Sequence, residues 1–407
     1  MRSPISKVVV ALLLVSLVGT VVGGCARQEQ VHAAEELDSR LINAVLDFGL
    51  ALHRQVIQGD PGENVFLSPA SVAMALHMTL NGAEGSTKDA MMETLRLQDM
   101  TVEELNKANS DLLTFFTAAI PGADISMANS LWAREGVSFN DHFLEVNREF
   151  YRSRVEQLDF DSPDAPAVIN SWVEEETRGL IEEIIEEIEE DAVLFLINAL
   201  YFKGSWTHPF DPERTREGDF YAGPETVGVP MMNMEESLGY LEEPRFQAVR
   251  LPYGQGRMSM YVFLPGEDLG LEGFLKDLTP DRWRDLMGAF GETEVNLSLP
   301  RFQVEFKAEL SQALESMGMG IAFQPREANF GRMRPIPPNL FIGTVNHRAV
   351  VDVNEEGTEA AAATSVEIKV ESAGPEPTFM KVDRPFFFAI QDDLTGMVLF
   401  TGTVVSP

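Results

Sequence analysis

Apolar residues recur at helical spacing in the first part of the chain. The stripe that predicts a helix over 37–58 consists of Leu37, Leu41, Val45, Phe48, Leu52 and Val56. Ser68 suits the N-cap of a second helix and Pro69 its first position, and Asn81-Gly82 ends that helix after Leu80. Further helices are predicted over 87–97, 101–120 and 140–151.

Strand patterns become frequent after residue 190. Residues 193–202 are almost wholly apolar and predict a strand buried on both faces. Other strands are predicted over 125–132, 227–232, 258–264, 294–305, 341–356, 386–390 and 397–404, and helices over 169–188, 271–290 and 307–317. We interpret the glutamates near 174–190 as the solvated face of amphipathic helices rather than as a metal site. No linker rich in Pro, Gly or Ser divides the chain, so the pattern predicts one α+β domain.

Residues 358–371 combine the features of a strand and of a loop. Small and then β-branched residues fall on one face of the alternation and polar residues on the other, as in a half-buried strand. The four consecutive alanines at 360–363, however, are poor strand formers. The segment follows Gly357 and ends before Pro375 and Pro377. We therefore expect a segment that can adopt either state.

The N-terminus predicts export and lipidation. Residues 1–24 form a leader with a basic start and an apolar run that is too short for a transmembrane span. Cys25 follows Val22-Gly23-Gly24, an arrangement that resembles the bacterial lipobox, in which the cysteine is diacylated and becomes the new N-terminus. An incidental cysteine in an ordinary signal peptide is the alternative. We expect residues 25–36 to be the lipidated cysteine and a polar tether, and 37–407 the folded domain.

Charge and motif content restrict the function. The mature chain has 29 basic residues (31 less Arg2 and Lys7) against 64 acidic ones, a formal charge of −35. This charge argues against nucleic acid, heparin-like polyanions and anionic membrane surfaces as partners. No GxSxG, HExxH, CxxC or GxxxxGK[ST] motif is present, and the histidines lack metal-ligand spacing. We therefore expect neither an enzyme nor a cofactor or metal.

Five sequence blocks resemble the serpins, a family of serine protease inhibitors, in the family's order. They are 64–71 with Gly82-Ala83, 198–210 (NALYFKGSWTHPF), 229–232 (VPMM), 347–349 with 355–364, and 384–386 with 400–407. The resemblance extends from about residue 37 to the C-terminus. It implies three β-sheets, eight or nine helices and an exposed reactive loop near the C-terminus.

The family resemblance assigns roles to the segment that can be loop or strand. It implies that a target protease cleaves the Glu371–Ser372 bond and that the cut loop then enters the largest sheet, trapping the protease as a covalent acyl-enzyme. The hinge of this movement would comprise Glu355, Gly357, Thr358, Glu359, Ala360, Ala361, Ala362, Ala363 and Thr364. Glu371 suggests a glutamate-preferring protease, whereas Lys369 offers a bond to trypsin-like enzymes and Val370 or Ala373 to elastase-like ones.

Two further clusters follow from the resemblance. Ser68, Ser71, Asn198 and His347 match the family's shutter, a hydrogen-bond cluster where the sheet parts. Trp206, Arg301 and Glu355 match the breach, where insertion begins, with Arg301 and Glu355 expected as an ion pair. Taken alone, the serines would be read as helix-capping and packing residues, His347 as a satisfied core histidine and Trp206 as core.

We expect a monomeric inhibitor outside the cytoplasm, anchored at Cys25. A heparin-like cofactor is not expected, because Lys88, Arg96 and Lys107 are the only bases in 87–120. The alternatives are a non-inhibitory serpin acting as a binder, carrier or chaperone, and a solute-binding lipoprotein.

Overall fold

The computed structural model describes residues 30, 32–59, 62–358 and 378–407. The α-helices are α1 (Ser39–Gly59), α2 (Pro69–Leu80), α3 (Gly85–Thr94), α4 (Val102–Phe116), α5 (Asp141–Tyr151), α6 (Ala165–Glu176), α7 (Gly270–Asp277), α8 (Pro280–Met287) and the single turn α9 (Ser311–Leu314). Within the described ranges, none of the helices combines the length and the hydropathy needed to span a bilayer.

The strands follow the order of the chain. They are β1 (Val65–Leu67), β2 (Ala123–Arg134), β3 (Arg154–Leu158), β4 (Leu194–Ser205), β5 (Arg216–Ala222), β6 (Glu225–Glu243), β7 (Phe246–Tyr253), β8 (Met258–Pro265), β9 (Gly291–Pro300), β10 (Phe302–Glu309), β11 (Asn346–Val353), β12 (Gly357–Thr358), β13 (Thr378–Lys381), β14 (Phe386–Asp392) and β15 (Val398–Val404).

Nine strands form one hydrogen-bonded network with two arms. The order is β1-β15-β14-β8-β7-β6-β9-β13, with β5 also paired to β6. One arm runs from β1 to β7, and the other consists of β5, β9 and β13. The 19-residue strand β6 belongs to both arms, because it pairs with β5 and β9 and, near its end, with β7. Hydrogen bonding thus joins two of the three expected sheets, and the expected serpin-like α+β fold is confirmed.

The remaining six strands form the sheet that contains the candidate site. Its order is β10-β11-β12-β4-β2-β3. β4 pairs with β2 from Leu194 to Gly204, and β10 pairs with β11 along its whole length. The two-residue strand β12 lies between these halves. The main core lies where this sheet meets the nine-stranded network, for example where the rings of Phe302 in β10 and Phe388 in β14 have centroids 5.4 Å apart.

Local chemistry explains where the helices begin. The Ser68 side chain accepts a hydrogen bond from the Ser71 backbone N–H, and Pro69 occupies the first turn of α2, as predicted. Helix α4 begins with a capping box in which Thr101 and Glu104 satisfy each other's backbone donors.

Three predictions of secondary structure were wrong. Residues 180–188 are irregular instead of helical, because α6 ends at Glu176 and both Arg178 and Gly179 have positive φ. The strand predicted over 294–305 is split between two sheets at the Pro300–Arg301 junction. The helix predicted from residue 307 is a strand up to Glu309, paired with β11.

Candidate functional site: the seam of the six-stranded sheet

The site is the boundary between β4 and β11, which we call the seam. Gly357 pairs with Ser205, and Thr358 pairs with Gly204 on one side and with Val353 on the other. Among the described residues, β12 alone pairs with both strands. The two halves of the sheet are therefore joined at one end of the seam by a strand of two residues.

Gly357 is required by close backbone approach. A Cβ atom at this position would lie 2.0 Å from the carbonyl oxygen of Gly204 and 2.8 Å from the Cα of Ser205. Its φ of 156° is also unusual for other residues. Any side chain here would push β4 away from β12.

Thr358 is held by a buried tyrosine. The hydroxyl groups of Thr358 and Tyr253 are hydrogen-bonded at 2.6 Å, and both residues are buried. Burial raises the pKa of Tyr253, so the phenol is neutral at physiological pH. The Tyr253 ring stacks on that of Trp206, with centroids 4.4 Å apart. The first inward-facing position after Gly357 is therefore packed and hydrogen-bonded.

Trp206 does more than fill the core. Its Nε1–H donates to the carbonyl of Asn354 at 2.9 Å, and its backbone N–H donates to the carbonyl of Glu356. The N–H of Phe210 donates to the carbonyl of Glu355. The segment after β4 thus fixes the turn that leads into β12.

The predicted breach pair is formed. Nη2 of Arg301 donates to Oε1 of Glu355 at 2.6 Å, and the hydroxyl of Thr215 donates to the same oxygen at 2.7 Å. Burial of Glu355 alone would raise its pKa, but the hydrogen bonds from Arg301 and Thr215 outweigh burial and the pKa is lowered. The carboxylate is therefore ionised at neutral pH. It ties the turn before β12 to the start of β10 and to the segment before β5.

The shutter residues lie in contact across the sheet. The backbone N–H of Ser68 donates to Nε2 of His347 at 3.2 Å, and the Ser68 hydroxyl donates to the carbonyl of Leu399. The hydroxyl of Ser71 donates to the carbonyl of Asn198 at 3.2 Å. The start of α2 therefore touches β4 through Ser71 and β11 through His347, one on each side of the seam.

Asn198 and His347 themselves are not hydrogen-bonded to each other. Nδ2 of Asn198 donates to Oδ1 of Asn129 at 2.9 Å, and Asn129 in turn donates to the carbonyl of Tyr151. Oδ1 of Asn198 is buried and, in the described part of the chain, has no hydrogen-bond partner. Burial lowers the pKa of His347 to about 4, so its ring is neutral at pH 7 and Nε2 can accept from Ser68.

An apolar cavity of about 20 Å³ lies beside Thr358 at the seam. Its walls come from both halves of the sheet and from the irregular segment that follows α6, and they include Leu180, Ile181, Leu200, Phe202, Ala349 and Val351. The space is large enough for about one water molecule but has apolar walls. Small uncharged side chains suit it.

Several predicted residues lie outside the described residues. They are Cys25, the hinge residues Glu359, Ala360, Ala361, Ala362, Ala363 and Thr364, and the reactive-bond residues Glu371 and Ser372. Conversely, sequence analysis missed Thr215, Tyr253 and Asn129. Each acts through a partner at least 69 residues away, and no local pattern indicates such a contact.

Comparison with known proteins identifies the fold. The family described as serpin (serine protease inhibitor) matches residues 43–407. Serpin-ZXA from Oryza sativa subsp. japonica is 35% identical over 86% of this chain and 91% of its own length.

Solved structures agree with this match. The thermophilic serpin tengpin in its native state has a TM-score of 0.83 and 33% identity, covering 91% of this chain and 95% of its own. Human thyroxine-binding globulin has a TM-score of 0.82 and 27% identity, covering 90% and 98%. The mixed fold with one two-residue joint in its six-stranded sheet is that of a protease-inhibitor family, and the chain belongs to the serpins.

Proposed function

We propose that this protein inhibits a protease by forming a covalent complex and inserting its cleaved loop into the seam. Serpins are generally non-catalytic inhibitors that bind target proteases. The observation that carries the proposal is β12, since Gly357 and Thr358 already pair with strands on both sides of the seam. The chain that continues from Thr358 would extend this strand between β4 and β11.

The chemistry starts at the Glu371–Ser372 bond. The nucleophile of the protease attacks the Glu371 carbonyl, the C–N bond breaks, and the amine of Ser372 leaves with the C-terminal fragment. Glu371 is then esterified or thioesterified to the protease. Insertion of residues 358–371 as a strand would carry the bound protease roughly 46 Å, at about 3.3 Å per residue. Compression of the protease against the far end of the fold would distort its active site, so that water could no longer be activated for deacylation.

Side-chain burial favours insertion. Each new backbone hydrogen bond contributes about 0.5–1.5 kcal/mol, whereas ordering costs about 1–2 kcal/mol per residue, so these terms nearly cancel. Val366, Ile368 and Val370 lie on the face of the alternation that continues from Thr358, and each would contribute roughly 1.5–3 kcal/mol if fully buried. The alanines match the small apolar space of the seam.

The test is covalent complex formation. The full-length protein is incubated with glutamyl endopeptidase, trypsin and elastase in turn, and an SDS-resistant complex is expected with a protease that cuts near Glu371. Mass spectrometry of the released C-terminal peptide identifies the bond. Cleavage by all three without any complex would contradict inhibition.

Matched variants test the seam itself. Thr358→Arg places a charge at a position that is 4% exposed, and Ala362→Pro removes an N–H that a central strand requires. Both are expected to turn the inhibitor into a substrate. Thr226→Arg, at an exposed position of β6, is the control and should form wild-type complex. Complex formation by both seam variants would rule out insertion.

A carrier function is the second candidate. It is suggested by the similarity to thyroxine-binding globulin, which has been solved in complex with thyroxine. A carrier would bind a small ligand and be cleaved by proteases without forming a complex. Covalent trapping together with a rise in melting temperature after loop cleavage distinguishes the inhibitor.

We further propose that Cys25 anchors the protein outside the cytoplasm. The support is the leader and lipobox-like sequence at 1–25. Mass spectrometry of the protein from membranes should find an acylated N-terminal Cys25, and Cys25→Ala should move the protein to the soluble fraction. An unmodified, uncleaved N-terminus would contradict this.

A further inference from the structure

The most exposed large apolar side chain of the described residues is Phe379, at 71% of its full exposure. It lies in β13, the last strand of one arm of the nine-stranded network. Its neighbour Met380 points the other way and is 1% exposed, as the alternation of a strand requires. Phe379 is therefore held outward by a strand whose other face is fixed in the core.

The backbone at Phe379 is also fixed. Its carbonyl accepts a hydrogen bond of 3.0 Å from Nε2 of Gln247, which also donates to the hydroxyl of Tyr240 at 2.7 Å. Because the backbone is ordered before any partner arrives, a contact through this ring loses little conformational entropy on binding.

The surroundings of Phe379 are acidic. Phe379 pairs with Asn296, which pairs with Glu235 on β6, so these three residues share one row across the sheet. Glu294 is exposed one alternation away on β9. Lys381, two residues further along β13, is 3.3 Å from Asp383, which offsets its charge. We call the surface formed by Glu235, Glu294, Asn296 and Phe379 the accessory face.

Chain connectivity leaves this surface within reach of a bound protease. Phe379 follows Ser372 by seven positions in the sequence, which limits their separation to about 24 Å. A protease of about 240 residues has a radius of gyration of roughly 18 Å. The body of an enzyme bound at Glu371–Ser372 is therefore within reach of the accessory face.

We propose that the accessory face is a second contact site for the target protease. This proposal rests on the proposed function. It specifies which proteases are selected, namely those that carry an apolar patch and basic residues beside the active-site cleft. The ring of Phe379 contributes contact area and the glutamates contribute charge complementarity, which raises the association rate. A protease of the same specificity but with an acidic surface would be disfavoured.

The test compares two enzymes of one specificity. Cationic and anionic trypsin both cleave after lysine, and Lys369 offers them a bond. The kcat/KM for cleavage within 359–377 of the full-length protein is measured at low and high salt. Phe379→Ser should lower kcat/KM about tenfold for both enzymes, whereas Val168→Ser, another exposed apolar position, should change it less than twofold.

The charge variant tests the electrostatic part. The double variant Glu235→Lys/Glu294→Lys should lower kcat/KM about tenfold for cationic trypsin at low salt, lose this effect at high salt, and not lower it for anionic trypsin. Wild-type rates for Phe379→Ser, equal effects of the charge variant on both enzymes, or no cleavage by either enzyme would overturn the proposal.

Two controls separate this proposal from other outcomes. Loop cleavage precedes insertion, so a protein that is cleaved but forms no SDS-resistant complex would overturn inhibition and leave the accessory-face measurement intact. Light scattering should show the wild type and Phe379→Ser as monomers. A wild-type dimer that Phe379→Ser dissociates would instead assign the face to a second copy of the chain.

Discussion

The two sheet systems differ in how their central strands are held. β14 is buried along its whole length and pairs with β15 on one side and β8 on the other. β11 pairs fully with β10, but its other edge is joined to β12 at Val353 and Thr358. The nine-stranded network is therefore a continuous structure, while the six-stranded sheet has a short joint at its centre.

The side chains at the two places differ as well. Phe263 in the nine-stranded network contacts the rings of Phe274, Trp283 and Phe387. The seam is held by hydroxyl, imidazole and carboxylate contacts at Thr358, His347 and Glu355. Closely packed aromatic rings resist rearrangement of the strands that carry them, whereas the hydrogen bonds of the seam can be exchanged for new ones of similar strength. Among the described residues, the seam is therefore where the proposed insertion would replace hydrogen bonds rather than the aromatic packing of the nine-stranded network.

The largest expected effect comes from breaking the aromatic cluster. Phe263→Ala should lower the free energy of unfolding by about 3–5 kcal/mol, because it leaves a cavity among rings that are fully buried. Phe379→Ala, at an exposed position, is the control and should change it by less than about 0.5 kcal/mol. Urea unfolding of both variants measures the difference. Equal losses would mean that the cluster is not tightly packed.

Acid should weaken both regions through buried histidines. Burial lowers the pKa of His53, beside the nine-stranded network, to about 3 and that of His347 at the seam to about 4. Both folded-state values lie below the unfolded value near 6.5, so the stabilisation is complete above pH 6.5 and is lost as the pH falls toward 4. Each histidine should account for a loss of about 2 kcal/mol between about pH 7 and pH 5.

Urea unfolding at the two pH values tests this expectation. His347→Gln and His53→Gln should each reduce the pH-dependent loss by about 2 kcal/mol, whereas His142→Gln, at an exposed position, should leave it unchanged. A loss that neither buried variant reduces would show that these histidines do not control acid stability.

A smaller effect is expected at the joint of the seam. Thr358→Val keeps the shape of the side chain and removes its hydrogen bond to Tyr253, so it should cost about 1 kcal/mol. Tyr253→Phe should cost a similar amount, and the double variant should cost little more than either. Additive costs in a double-mutant cycle would indicate that the two hydroxyls act separately.

The smallest effect concerns ion pairs. Glu355 is buried but Arg301 is 47% exposed, so solvent screens the pair and a coupling energy of about 0.5–1 kcal/mol is expected in a double-mutant cycle. The exposed pair of Arg154 and Glu156 should give less. A larger coupling for the exposed pair would contradict the importance assigned to the breach contact.

The sequence predicted the presence of helices and strands better than it predicted where they end or which segments between them are irregular. Helix α1, predicted from its apolar stripe, and helix α2, predicted from its capping residues, lie where they were predicted. The helix predicted over residues 180–188 was wrong because Ile181 and Ile185 are buried at helical spacing without a helix. There, Oδ1 of Asn170 accepts hydrogen bonds from the backbone N–H groups of Ile184 and Ile185. In a helix, backbone carbonyl groups would accept these bonds. Strand β13 was missed because four residues are too few to show a period.

The candidate site depended on the family resemblance more than on local pattern. Ser68 and His347 are 279 residues apart, and their contact follows from how the sheet places α2 against β11. Thr215 and Tyr253 have no feature in the sequence that distinguishes them from other polar and aromatic residues. Such contacts depend on the tertiary fold, which hydrophobic periodicity does not specify.

The continuity of β6 has a mechanical consequence. Because this one strand runs through both arms of the nine-stranded network, a pull along it loads the hydrogen bonds of both arms in shear at once. Force applied through the chain after β13 reaches β6 by way of β9. In an optical trap, the two arms should therefore rupture together in a single step.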